Sequence, residues 1–210
     1  MKRIIFIRHG QTVDNSTKIV QGYLSSLNIH GLEQASAATE RFKDIGAEVI
    51  YTSNMIRASE TAEILSKSLG LPVIKTGYLR EKLRPLEQRN ISHESEEFKN
   101  IEKTILENYN TDNYRYSDEE NFEDLKERAS QAFKLLLDEK RKTIIVVTHR
   151  NFLYYLTGYG LFGDKFSREH GQVFITKLHI DNTGLVEFVN SQNDDNGWVL
   201  HRWNDHSHLA

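Results

Sequence analysis

Hydrophobic positions along the chain fall into runs of two kinds. Residues 3–8 (RIIFIR) are β-branched and aromatic and end against Gly10, which marks a buried strand. Residues 31–45 (GLEQASAATERFKDI) place Leu32, Ala35, Ala38, Phe42 and Ile45 along one side of a helix. Residues 47–52 (AEVIYT) read as a second strand. Ser53 or Asn54 stands where it can cap the next helix, residues 54–69, which Gly70 stops. Pro72 to Thr76 predicts a short third strand.

Residues 79–93 (LREKLRPLEQRNISH) are charged and fit no period, so they read as a loop. Two acidic helical stretches follow, near 94–108 and 121–141. Residues 143–148 (TIIVVT) form the most strand-like run, and a helix over about 151–159 comes next. Near the end, VFITKLHI (173–180) and LVEFV (185–189) alternate around the turn Asp181–Gly184 and predict an antiparallel hairpin. Strands alternating with helices predict an α/β sandwich with a mostly parallel sheet. No internal repeat or Pro/Gly/Ser linker interrupts the chain, so one domain over residues 1–210 is expected, with 79–120 inserted as a helical cap.

Composition narrows the function. Lys and Arg number 27 against 30 Asp and Glu, a net charge of −3, which gives no long-range attraction for nucleic acid or an anionic membrane. Any anion must be held by a few placed cations. The chain has no cysteine, which excludes disulfides, thiolate metal sites and cysteine nucleophiles. Ile4 to Ile7 is the longest apolar run near the start, too short for a secretory signal or a membrane span. A soluble, cytoplasmic protein is expected.

Three predicted strands end in one kind of chemistry. The first runs into Arg8, His9 and Gly10; the second leads to Arg57 in the first turn of a helix; the strand 143–148 runs into His149 and Arg150. Ligands of parallel α/β sheets bind at the carboxyl ends of strands. A cation in a first helical turn opposes the helix dipole unless an anion is bound there, and arginine offers a phosphate two parallel donors. Arg57 could also reach solvent or pair with Glu60. His9 could be an ordinary satisfied histidine, but Gly10 permits close backbone approach and a second histidine ends a neighbouring strand. Two histidines with a carboxylate could hold a metal; the flanking arginines argue for an anion instead. The set fits phosphoryl transfer: a neutral imidazole at His9 attacks phosphorus, while Arg8, Arg57 and the second histidine hold the non-bridging oxygens. An acid in the cap loop would protonate the leaving group.

These residues, in order, resemble the histidine phosphatase superfamily, also called phosphoglycerate mutase-like. The likeness runs through Arg8-His9-Gly10-Gln11-Thr12, Asn15, Gln21-Gly22, Gly31 to Ala35, Ser53, Arg57-Ala58, Thr61-Ala62, Leu79-Arg80-Glu81 and Val146 to His149. It closes with Trp198, Asn204 and His208-Leu209. The resemblance implies a three-layer α/β/α sandwich, His9 as the phosphorylated nucleophile, and Arg8, Arg57 and His149 around the phosphate. It implies Glu81 as proton donor, Asn15, Gln21 and Gly22 in the substrate pocket, and no metal or other cofactor.

The chain departs from the family pattern in places. Arg150 stands where glycine usually follows the second histidine; it either adds a cation to the pocket, as a substrate-binding residue, or turns outward. The acid segment reads EKLRPLEQRN, without the usual glycine and aromatic, which leaves Glu87 as a rival to Glu81. Lys82, Arg84 and Arg89 either grip a second anionic group or form a solvated loop. The expected function is hydrolysis of a small phosphomonoester. A phosphoglycerate mutase is the alternative, although the tryptophans those mutases carry near Asp14 and Tyr23 are missing. A non-catalytic phosphate-binding module is the third reading.

Overall fold

A computed structural model describes residues 1–190 and 197–209. The chain runs β1 (Arg3–Arg8), α1 (Val13–Ser16), α2 (Ile29–Phe42), β2 (Val49–Ser53), α3 (Ile56–Leu69), β3 (Val73–Thr76) and α4 (Glu96–Glu107). It continues through α5 (Phe122–Asp138), β4 (Thr143–Thr148), α6 (Arg150–Phe162), α7 (Arg168–Lys177), β5 (Leu185–Asn190) and β6 (Trp198–Asp205). The strands form one sheet in the order β3-β2-β4-β1-β5-β6. The first four are parallel; β5 runs antiparallel to β1, and β6 antiparallel to β5.

The central strands are apolar on both faces, which only a sheet covered on both sides can bury. Ile4 and Phe6 of β1, with Ile144 and Val146 of β4, pack against Leu125 and Phe133 of α5 and Phe152 and Leu153 of α6. The alternate residues Ile5, Ile7, Ile145 and Val147 pack against Ala38 and Phe42 of α2 and Ala58, Ala62 and Leu65 of α3. The result is the expected α/β/α sandwich with a mostly parallel sheet. Register then sets up the site: Arg8 pairs with Thr148, so the next residue of each strand, His9 and His149, emerges side by side.

Local chemistry ends the elements where side chains allow it. Asn28 caps α2 by accepting the Gly31 N–H (2.8 Å), and α3 stops at Gly70 in the left-handed conformation (φ 69°). The cap of α3 differs from expectation. Its N-cap is Met55, which makes no side-chain cap bond; Ser53 Oγ instead accepts the Met55 N–H (3.2 Å). On α2, Leu32 is 45% exposed rather than part of the buried face, which is formed by Gly31, Gln34, Ala35, Ala38, Thr39 and Phe42.

The C-terminal hairpin is corrected. VFITK belongs to helix α7, started by Ser167 and His170 in a reciprocal capping box, with Phe174 packed near Phe162 and Phe166. The turn Asp181–Gly184 is present, closed by the Gly184 N–H on the Asp181 carbonyl (3.0 Å), but it joins α7 to β5. The antiparallel partners of β5 are β1 and β6.

Candidate active site

The carboxyl ends of β1, β2 and β4 open into a cavity of about 580 Å³, lined among others by Arg8, His9, Asn15, Gln21, Gly22, Arg57, Glu81 and Arg150. His149 lies beside it, fully buried, with its ring centroid 5.1 Å from that of His9. The His9 N–H bonds to the Thr148 carbonyl (3.0 Å), which ties the two strand ends together.

The state of His9 follows from its contacts. Nδ1 lies 2.7 Å from the Gly10 carbonyl oxygen, which can only accept, so Nδ1 carries the proton. Nε2 therefore holds the lone pair, and Arg57 Nε donates to it at 3.2 Å. Burial first, then Arg57 and Arg8, push the His9 pKa well below its usual value, so the ring is neutral. Burial and the same cations do the same to His149. A neutral imidazole with one aimed lone pair is the form a nucleophile needs.

The donors around it are unusual for a protein interior. Arg57 is 1% exposed and Arg8 8%. Burial lowers the pKa of each to about 10. Arg57 Nη1 donates to the Gly22 carbonyl (2.8 Å) and Arg8 Nη1 to the Ile180 carbonyl (2.8 Å). Arg8 Nε and both ring nitrogens of His149 are buried with no hydrogen-bond partner among the described residues. Buried polar groups are nearly always paired, and leaving one unpaired costs about 1–3 kcal/mol, so Arg8 Nε and the single N–H of neutral His149 mark where a ligand's acceptors belong. Arg57 makes no pair with Glu60, whose carboxylate accepts the Leu27 N–H (2.7 Å).

Glu81 also faces the cavity. Its Oε1 accepts the N–H groups of Lys82 (2.8 Å) and Phe152 (3.0 Å). Oε2 is held less closely, by the Asn151 N–H and Nδ2, both at 3.3 Å. A carboxylate thus sits on the positive end of α6 and couples the loop to the helix that carries His149 as N-cap. Glu87 lies elsewhere, on an exposed turn, accepting from Ser117 Oγ (2.8 Å).

The remaining expected residues are placed as follows. Asn15 Oδ1 accepts the Thr12 N–H (3.3 Å), and Gln21 Nε2 donates to Thr12 Oγ1 (2.8 Å). Arg150 is exposed yet lines the cavity, with Nε on the Tyr154 hydroxyl (3.3 Å). Gly10 has a different reason for being glycine than ligand approach. A Cβ there would collide with the backbone of Gly31, and a Cβ on Gly31 with the backbone of Gln11, so two chain segments touch behind the site.

Sequence reasoning missed several supporting groups. Asn182 Nδ2 donates to the His9 carbonyl (2.9 Å). Glu120 binds Arg80 (2.7 and 2.9 Å) and Arg128 (2.8 and 2.9 Å), and Arg128 holds the carbonyls of Tyr78 and Arg80, so this buried cluster fixes the Glu81 loop. One signal was available: Arg128 follows Phe122 and Leu125 at helical spacing and falls on the buried face of α5. Among the described residues no group of three or more His, Cys, Asp or Glu is arranged to hold a metal ion, and no helix is long and apolar enough to cross a membrane.

A doubly covered, mostly parallel sheet with two histidines and two buried arginines at its carboxyl edge defines the class. The profile of the histidine phosphatase superfamily (branch 1) matches residues 4–206, and the chain belongs to that superfamily. Among individual proteins, it is 28% identical to a probable phosphoglycerate mutase, GpmB, of Erwinia tasmaniensis, over 100% of this chain and 95% of the relative. It is 33% identical to a Klebsiella pneumoniae protein of the same description, over 66% of this chain and 64% of that one. Its fold is similar to Bacillus stearothermophilus YhfR, with a TM-score of 0.83, 23% identity and 100% coverage of both chains.

Proposed function

We propose that the protein is a cytoplasmic phosphatase that hydrolyses a phosphomonoester through a phosphohistidine on His9. The observation that carries this reading is the fixed tautomer: Nδ1–H is held by the Gly10 carbonyl, and the Nε2 lone pair faces Arg57 in a site that also holds the unpaired Arg8 Nε and His149. In the first step Nε2 attacks phosphorus and the ester P–O bond breaks. Glu81 gives its proton to the departing alkoxide. In the second, Glu81 takes a proton from water, the hydroxyl attacks phosphorus, the P–N bond breaks, and phosphate leaves with His9 restored. Oε2, which accepts only at 3.3 Å, is the less closely held oxygen and the one this mechanism uses for the proton transfer. Arg8, Arg57 and His149 hold the non-bridging oxygens throughout, where charge stabilisation supplies most of the catalysis. Asn15, Gln21, Gly22 and Arg150 contact the rest of the substrate.

A second reading is phosphoglycerate mutase chemistry, favoured by the description of the Erwinia and Klebsiella relatives. Structures of similar fold at 21–22% identity are described as a phosphoserine phosphatase with phosphoserine and a glucosyl-3-phosphoglycerate phosphatase with vanadate, which support hydrolysis. The test uses purified protein and an aryl phosphate. Phosphate release should survive a chelator and fall by about 10³-fold or more in His9→Ala. Release that persists in His9→Ala, or stops with chelator, refutes the mechanism. Offering phosphoglycerate with and without bisphosphoglycerate separates isomerisation from hydrolysis.

A further inference from the structure

The cations lining the cavity divide by what already neutralises them. Arg8 and Arg57 stand at His9. Arg80 is paired with Glu120, Arg84 with Glu102 (2.8 Å) and Gln88 (3.0 Å), and Arg89 with Asp118 (2.5 Å). Lys82 and Arg150 differ. The Lys82 ammonium forms no hydrogen bond or ion pair with any described residue, although the side chain is partly buried. Burial, and then Arg84, lower its pKa against the opposing charges of Glu102, Glu119 and Glu81. Arg150 engages only its Nε among the described residues, with no described partner on either terminal nitrogen of its fork.

Both positions are unfavourable without an anion. An enclosed ammonium without a partner costs free energy that a bound anion would offset. Arg150 is the first residue of α6, where a cation opposes the helix dipole, and its charge also depresses the pKa of Arg8. The carboxylates around Lys82 are already engaged: Glu81 by the amides of α6, Glu102 by Arg84 and Gln88, and Glu119 by the Tyr116 and Ser117 amides. The cavity wall also carries the apolar side chains of Val20, Met55, Leu83, Phe98 and Ile175. The cavity volume falls in the range that encloses drug-sized ligands.

We propose that Lys82 and Arg150 form a second anion subsite, and that the preferred substrate is a phosphomonoester whose body carries a second anionic group, a carboxylate or a further phosphate. This rests on His9 taking the first phosphoryl group. Arg150 presents a planar fork and Lys82 a point charge, so either anion is matched, and a charge-assisted bond at each is worth about ten-fold or more in selectivity.

The experiment measures kcat/KM for phenyl phosphate, 4-carboxyphenyl phosphate, its methyl ester and 1,4-phenylene bisphosphate. The proteins compared are the wild type, Lys82→Met, Arg150→Gln, their double variant and Lys82→Arg. The wild type should prefer the carboxylate or the bisphosphate over the methyl ester by about ten-fold or more. That ratio should approach one in the double variant and survive in Lys82→Arg. The member preferred identifies the second anion. A wild-type ratio near one overturns the subsite, as does an equal loss on all four compounds in the variants, which would place these cations at the first phosphate. Should no compound turn over, the His9 reading fails separately. The same ratios then come from calorimetric binding to His9→Ala, and a ratio near one there overturns the subsite as well.

Discussion

At the scale of single residues, the site works by denying side chains their usual partners. His9 keeps its Nδ1 proton on the Gly10 carbonyl and turns its Nε2 lone pair to Arg57, while Arg8 Nε and both His149 nitrogens find no partner among the described residues in a buried setting. Among the described residues, Glu81 both faces the cavity and bonds the helix that His149 caps. Its proposed role predicts a dependence on leaving group. Glu81→Gln should lower kcat by about 10² to 10⁴ on an alkyl phosphate, whose alkoxide needs a proton. The loss should shrink on 4-nitrophenyl phosphate, whose phenolate leaves unaided. Steady-state kinetics on the two esters checks this; an equal loss on both would make Glu81 a helix cap alone.

Elements bring these residues together, and their legibility in the sequence varied with cause. The strands at 3–8 and 143–148 were readable because continuous β-branched runs permit little else. The alternation in VFITKLHI predicts a strand, but the Ser167–His170 capping box and the aromatic packing of Phe174 make VFITK part of a helix. His9 and His149 were legible because each ends a strand. Asn182 was not, because the chain returns it to His9 from far along the sequence, and of the Glu120–Arg128 cluster only the buried-face spacing of Arg128 was legible. The contact between Gly10 and Gly31 yields a prediction at this scale. Gly31→Ala should destabilise the protein by about 3 kcal/mol or more, since backbone must move to admit the methyl group. Urea unfolding measures it, and a loss below about 0.5 kcal/mol would contradict the packing described.

Across the whole molecule, the two buried histidines link folding to pH. Both have folded pKa values well below the unfolded value near 6.5. The unfolded chain therefore binds more protons in acid. Stability is fully present above about pH 6.5 and declines as pH falls below it, by about 1.4 kcal/mol per pH unit for each histidine. Denaturation at pH 7.5, 6.0 and 5.0 should show this slope reduced in a His9→Asn, His149→Asn double variant. Vanadate or phosphate, by engaging the orphaned donors, should raise the melting temperature of the wild type. An unchanged pH slope in the double variant would assign the acid sensitivity to other groups.

The central claim, that His9 Nε2 becomes covalently phosphorylated, is tested most directly by quenching the enzyme in alkaline denaturant during turnover and mapping its peptides by mass spectrometry. The account predicts one added phosphoryl group on His9, lost when the enzyme is left to exhaust its substrate and absent in His9→Ala. Full turnover with His9 unmodified at every quench time, or the group found on another residue, would contradict it.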